Sequence, residues 1–138
     1  MFFNKNKEVK TSNSHFIKIA ALLIHAAKID EKYSKEEKEI IKKTLLDLGA
    51  SKNELDNLII EAQKSEENAN QILDFTKEIK NLEETNKIKI VKSLWRIIYS
   101  NKHADIYETN LMRRLSGLLY IDSKIMGDIK EQIKNELT

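Results

Sequence analysis

Two stretches carry the residues with the clearest chemical potential. The first, IDEKYSKEEKEIIKKTLLDL (residues 29–48), places Asp30 in a polar turn, Ser34 at a helix start and Glu37 in that helix's first turn. A turn carboxylate and a first-turn helix carboxylate can converge on a divalent cation through oxygen ligands. The same residues have a plainer use. Ser34-Lys-Glu-Glu37 reads as a capping box, in which the hydroxyl takes a backbone N–H and the Glu reaches back to the cap. Asp30 can in turn serve as an acceptor for backbone N–H groups of the turn. The second stretch, SNKHADIYETNLMRRLSGLL (residues 100–119), sets Asn101, Asp105 and Glu108 at the places of Asp30, Ser34 and Glu37. The offsets 101 − 30, 105 − 34 and 108 − 37 are all 71. Asn101 replaces the turn acid and Lys102 adds a positive charge, so Asn101, Asp105 and Glu108 form a degenerate second copy of the cation site.

Other chemistries find little support in the residue patterns. The spacing is not that of a twelve-residue calcium loop, which needs alternating acids and a central glycine. His15, His25 and His103 offer no i, i+4 pair, and HExxH is absent. Serine nucleophile elbows, phosphate-binding glycine loops and dinucleotide motifs are absent as well. With no cysteine, thiolate catalysis, thiolate metal sites and disulfides are excluded. No catalytic residue is assigned, and the chain reads as non-enzymatic.

Charge narrows the partners. The formal net charge is +2, from 24 basic and 22 acidic residues. Lys89, Lys92 and Arg96 share one helical face, and Arg113 and Arg114 lie on a later helix, so a nucleic-acid-binding helical domain is a further alternative. The near-balance of charge, and the alternation of Lys and Arg with Glu and Asp, read instead as solvated helix faces, and nucleic acid is not expected. The longest apolar run, Ile19 to Ala27, is interrupted by His25 and too short to span a bilayer. Met1 to Lys10 lacks an apolar signal-peptide core. The expected location is the cytoplasm.

The elements that must position these residues are helical. At 138 residues, 41% hydrophobic and 33% charged, the chain has the composition of one folded domain. Proline is absent and glycine occurs three times, which favours an all-α fold. Residues 1–12 read as an N-terminal tail and 13–138 as the helical domain. A first helix is expected over Ser14–Lys28, apolar nearly all round and therefore central. A second follows over Lys35–Leu48, ended by Gly49 in a left-handed conformation. Ser51-Lys-Asn-Glu54 reads as another capping box opening a third helix. A fourth is expected over about Ala69–Lys80, and a fifth opens at Asn81 and runs to Tyr99. Asp105 caps a sixth and Asp122 a seventh. Ser51 and Asp122 again differ by 71 (122 − 51), so the fold reads as two pseudo-repeated helix–turn–helix units.

The order of these motifs resembles the TerB-like family, the helical domain of tellurite resistance protein TerB. In that family a helix ends in an Ala-Asp-Gly-type turn, a capped helix with a first-turn Glu follows, and the unit occurs twice. Here AAKIDEKYSKEEKEII matches at Asp30, Ser34 and Glu37. HADIYETNLMRRLSGLLYID matches the second unit at Asp105, Glu108, Arg113, Arg114, Leu118 and Leu119. The linking DFTKEIKNLEETNKIKIVKSLWRIIYS resembles the middle helices, and the likeness covers about residues 15–138. Two departures stand out: Glu31 replaces the first turn's glycine, and Ser100-Asn101-Lys102 replaces the second Ala-Asp-Gly. The resemblance implies a bundle of about seven helices with no established catalytic activity. It also implies a link to tellurite and other stress resistance in bacteria. The implied role is a scaffold that binds a protein partner, near the inner membrane in the case of relatives joined to membrane-anchored DnaJ-type co-chaperones. The alternative it carries is a module responsive to calcium or magnesium at Asp30 and Glu37. A homodimer is compatible with a helical domain of this size, and no residue pattern demands one.

Overall fold

The structure is a computed structural model. It describes the backbone of residues 2–30, 33–100 and 106–137, and the side chains of 13–29, 33–100 and 108–137. The described residues form seven α-helices and no strand: α1 (Phe2–Ala27), α2 (Lys35–Asp47), α3 (Leu55–Asn68), α4 (Leu73–Ile79), α5 (Glu84–Tyr99), α6 (Ile106–Leu118) and α7 (Ser123–Glu136). Short 3₁₀ turns, Lys28–Asp30 and Lys52–Glu54, follow α1 and precede α3.

The second half of α1 is the axis. Ile19 to Ile24, Ala26 and Ala27 are all buried, and α1 packs against α2, α3, α4 and α5. Each Leu or Ile fully removed from water contributes about 1.5–3 kcal/mol, so a helix with no solvent face holds its neighbours in place. α5 is the second buried element. Ile90, Val91, Leu94, Trp95, Ile97 and Ile98 are buried, and α5 contacts α1, α2 and α7. Trp95 stacks on Tyr99, ring centroids 5.8 Å apart, with the Lys130 ammonium 5.5 Å from the indole centroid on α7.

Several local expectations change. α1 begins at Phe2, not Ser14: the backbone of residues 2–12 is helical, as a stretch without proline or glycine permits. The Ser51 capping box does not form. Ser51 makes no side-chain cap bond, residues 52–54 turn as a 3₁₀ helix, and the Glu54 carboxylate instead accepts from Asn13 Nδ2 of α1 at 3.3 Å. α4 starts at Leu73 because Ala69 is extended (φ −81°, ψ 139°), which takes the chain out of helix after α3. α5 starts from Glu83, not Asn81, and Glu83 places no side-chain cap bond. Asp122 caps α7 as expected, accepting the Lys124 N–H at 3.2 Å.

The ends of α2 and α6 share one hydrogen-bond pattern. After α2, Gly49 N–H donates to Leu46 C=O (3.0 Å) and Ala50 N–H to Leu45 C=O (2.9 Å), the Schellman arrangement, with Gly49 at φ 106°. After α6, Tyr120 N–H donates to Gly117 C=O (3.2 Å) and Ile121 N–H to Ser116 C=O (2.9 Å), with Tyr120 at φ 57°. Lys87, buried in α5, closes the base of the bundle. Its ammonium donates to Leu119 C=O at 3.0 Å and Lys80 C=O at 3.3 Å, satisfying carbonyls at the C-terminal ends of α6 and α4, where a cation is favoured.

A Cβ at Gly49 would meet nothing within 4 Å, so any cost there is conformational. Gly49→Ala should therefore lower the unfolding free energy by about 1–2 kcal/mol. Gly127→Ala, in the exposed interior of α7 and also with open space around it, should raise it by about 0.5–1 kcal/mol. Urea unfolding of both variants checks the pair. Equal effects at the two positions would contradict the left-handed backbone at Gly49.

Candidate functional site

The candidate site lies where α1 leaves the core. His25 and Lys28, on the last turn of α1 and just beyond it, reach the same carboxylate on α3: Glu66 Oε2 is 3.3 Å from His25 Nδ1, and Glu66 Oε1 accepts from Lys28 Nζ at 2.6 Å. His25 is thus the hydrogen-bonded boundary histidine that its place in an apolar helix indicates. The clasp fixes the end of α1 against α3. The chain then tightens into the Lys28–Asp30 turn and re-enters helix at Lys35.

Ser34 and Glu37 form the capping box that their spacing predicts. Glu37 N–H donates to Ser34 Oγ at 3.1 Å, and Ser34 N–H donates to Glu37 Oε1 at 2.8 Å. The sequence does not disclose the depth of Glu37, which is only 1% exposed. Glu108, its counterpart in α6, is 3% exposed. Both are first-turn acids, where the N-terminal end of a helix favours negative charge. The side chain of Asp30, and Asn101 and Asp105 entirely, lie outside the described residues. Of the residues assigned to a cation, the structure therefore places the side chains of Glu37 and Glu108 only. A hard cation such as calcium takes six to eight oxygens. Glu37 commits Oε1 to the cap, and among the described residues no group of three acids or histidines is arranged to hold a metal ion.

Tyr33, just before the cap, is half-buried. Its hydroxyl lies beside the Gln63 side chain but meets no partner at hydrogen-bonding geometry. Burial pushes its phenol above the usual value of 10.0. Gln63 partly offsets this, and the negative charge of Glu37 adds to the rise.

Beside the clasp a cleft of about 460 Å³ opens between the end of α1 and α6, lined by His25, Ile29, Asn110, Leu111 and Arg114. Its apolar floor is Leu111 and Ile29. Arg114 is exposed and has no ion-pair partner among the described residues. Sequence reading places Arg114 in a basic pair but gives no sign of the cleft, because the cleft joins residues about 85 positions apart in a fold whose helix order is not written locally. The available signal is that Asn110 and Leu111 lie four and three residues before Arg114 on α6, the spacings that share a helical face.

The difference in ultraviolet titration between the wild type and Tyr33→Phe should show Tyr33 ionising above 10.0. In Glu37→Gln that midpoint should move down without returning to 10.0, because burial is the larger cause. The folded state holds this proton more tightly than the unfolded chain, so stability is intact below pH 10 and falls as pH rises towards the folded midpoint. A Tyr33 midpoint at or below 10.0 would contradict the buried hydroxyl.

No curated protein and no solved structure matches the chain. A family model described as tellurite resistance protein TerB matches residues 16–131 of the 138, from the middle of α1 into α7, and the chain belongs to the TerB family.

Proposed function

We propose that the chain is a non-enzymatic interaction module serving tellurite-type stress resistance, and that it docks a protein partner in the cleft between α1 and α6. The observation that carries the reading is the make-up of that cleft. An apolar floor of Ile29 and Leu111 is set beside an arginine with no carboxylate of its own among the described residues. The matching ligand is a peptide segment with an acidic side chain next to an apolar one, since a guanidinium recognises a carboxylate through paired N–H donors. The clasp of His25 and Lys28 on Glu66 holds one wall of the cleft rigid, which limits the ordering cost of binding. Family membership supports the link to stress resistance. Among the described residues no helix is long and apolar enough to cross a membrane.

Arg114→Glu tests the reading. In a bacterium made tellurite-sensitive by loss of its own copy, the wild-type chain should restore growth, and Arg114→Glu should fail to do so while accumulating to the same level with unchanged helicity. Restoration by both proteins would remove the cleft from the function. Restoration by neither would remove the stress role.

A second reading, a module responsive to calcium or magnesium, draws support from the burial of Glu37 and Glu108 at first turns 71 residues apart (108 − 37). It rests on Asp30 for its remaining ligand. On this reading a saturating cation at a hundred times its dissociation constant stabilises by about 2.7 kcal/mol. That would raise the unfolding midpoint by roughly 8 °C for a domain of this size. The rise should vanish in Asp30→Asn. A midpoint indifferent to both metals would leave the turn with a structural role alone.

A further inference from the structure

Where α3 ends, the extended backbone of Ala69 takes the chain out of helix before α4 begins. A cavity of about 420 Å³ lies at this break, between α1, the end of α3 and α4. Six polar side chains line it: Lys18 from α1, Ser65 and Asn68 from α3, and Asp74, Lys77 and Glu78 from α4. The three on α4 follow i, i+3, i+4 spacing and so share one helical face. Phe75 borders the same space and is 1% exposed. The Lys18 ammonium lies 5.9 Å from its ring centroid, a contact that seats this cation at the α1 wall.

Two features set this cavity apart from a solvated helix face. The first is its unpaired charge. Elsewhere lysines meet carboxylates, as Lys28 meets Glu66, Lys42 meets Asp56 and Lys87 meets Glu84. Here two cations and two anions line one space, and none of the four forms an ion pair among the described residues. The second is Glu78 Oε2, which is shielded from water and meets no hydrogen-bond donor among the described residues. A carboxylate oxygen removed from water without a donor is costly, so a ligand that brings an N–H to it is favoured. The torsion that carries a glutamate carboxylate is broad, and a small rotation turns this oxygen to the cavity.

We propose that this cavity binds a free α-amino acid with a polar, uncharged side chain. The charges of the lining cancel, so the ligand that answers both signs is a zwitterion. Its ammonium donates to Glu78 and Asp74 on α4, and its carboxylate accepts from Lys18 on α1, as charge-assisted hydrogen bonds. Ser65 and Asn68 each donate and accept, which suits a side-chain amide or hydroxyl. A space of about 420 Å³ stands near the lower end of small-molecule sites. The cavity shares no residue with the α1–α6 cleft, so each can fail without the other.

The test is a titration of the full chain with L-glutamine and with L-asparagine, followed by backbone amide resonances. At least one of them should shift residues 65–78 and the part of α1 around Lys18. Two derivatives of glutamine each lack one charge: N-acetyl-L-glutamine has no ammonium and L-glutaminamide no carboxylate. Each should bind at least about tenfold more weakly than its parent, the worth of one hydrogen bond between charged groups. Glu78→Gln, which keeps the length of the side chain and breaks no ion pair, should weaken the free amino acid about tenfold and leave N-acetyl-L-glutamine unaffected, because the group it serves is already gone. Lys18→Gln should act in the same way on the free amino acid and spare L-glutaminamide. No shift with either amino acid at millimolar concentration would overturn the proposal. So would equal affinity for glutamine and its two derivatives, shifts centred away from α4, or wild-type affinity in Glu78→Gln.

Discussion

The architecture depends on burying a helix that has no polar face. From Ile19 to Ala27, α1 interrupts its apolar surface once, at the half-buried His25. Such a segment cannot lie on a surface, so other helices must cover it on all sides, and α2, α3, α4 and α5 do. The consequence for function is positional. Where α1 leaves the core its backbone must turn among polar groups, and those groups come to hand through nonlocal contacts. Glu66 receives both His25 and Lys28, and the capping box at Ser34 restarts the chain as α2. The Lys28–Asp30 turn therefore follows directly on the apolar helix, and the capped helix takes the chain up again at Lys35.

Most of this frame was legible from spacing. Apolar periodicity separates the helices because nothing in the chain competes with it: there is no proline, and few glycines interrupt the pattern. The limits of local reading show most clearly in two tetrapeptides of the same form. Ser34-Lys-Glu-Glu37 makes the reciprocal cap, whereas Ser51-Lys-Asn-Glu54 does not: the Glu54 N–H donates to the Ser51 carbonyl in a 3₁₀ turn, and the Glu54 carboxylate accepts from Asn13, 41 residues earlier in the chain. A sequence window cannot weigh a partner it does not contain. Lys87 was invisible for the same reason. It reads as one more surface lysine until α4 and α6 are placed so that their last carbonyls meet its ammonium. The alternation of charge along the helices similarly concealed the convergence of Arg96 and Glu136, which lie 40 residues apart in sequence.

Beside the candidate site the sequence disclosed the Ser34–Glu37 cap but not its surroundings. Glu37 was legible as a cap and as a potential ligand, and these uses compete for the same oxygens. With Oε1 on the Ser34 N–H, the cap takes one acceptor and also orients the carboxylate. Burial then raises the stakes, since an ionised group removed from water must be compensated by hydrogen bonds or charge. The neighbouring Tyr33 responds as a neutral group should: its proton is held more tightly because the phenolate would be both buried and near the charge of Glu37. The polar pair Thr44–Ser93 between α2 and α5 follows the same rule. Each hydroxyl lies within hydrogen-bond reach of the other and of its own i−4 carbonyl, at Ile40 and Lys89. Two hydroxyl protons serve three such contacts, so the pair shares its donors and gives the apolar α2–α5 interface a preferred register.

The two Schellman ends show what is retained when the residue changes. The bonds after α2 and after α6 fall on positions separated by 71 (120 − 49 and 121 − 50), and the bounds of α2 and α6 are separated by the same interval (106 − 35 and 118 − 47). Glycine meets the left-handed requirement in the first and tyrosine in the second. A tyrosine there costs about 1–2 kcal/mol relative to an ordinary backbone conformation, and the surroundings must offset it. Three contacts do so in part. The Lys80 ammonium lies 5.7 Å from the Tyr120 ring centroid, Ile121 is buried beyond the turn, and Lys87 binds the Leu119 carbonyl one residue before it. At Gly49 the turn is relaxed by the residue itself. At Tyr120 it is imposed by tertiary contacts, which leaves a large aromatic side chain, 66% exposed, held at the surface by the contacts beneath it.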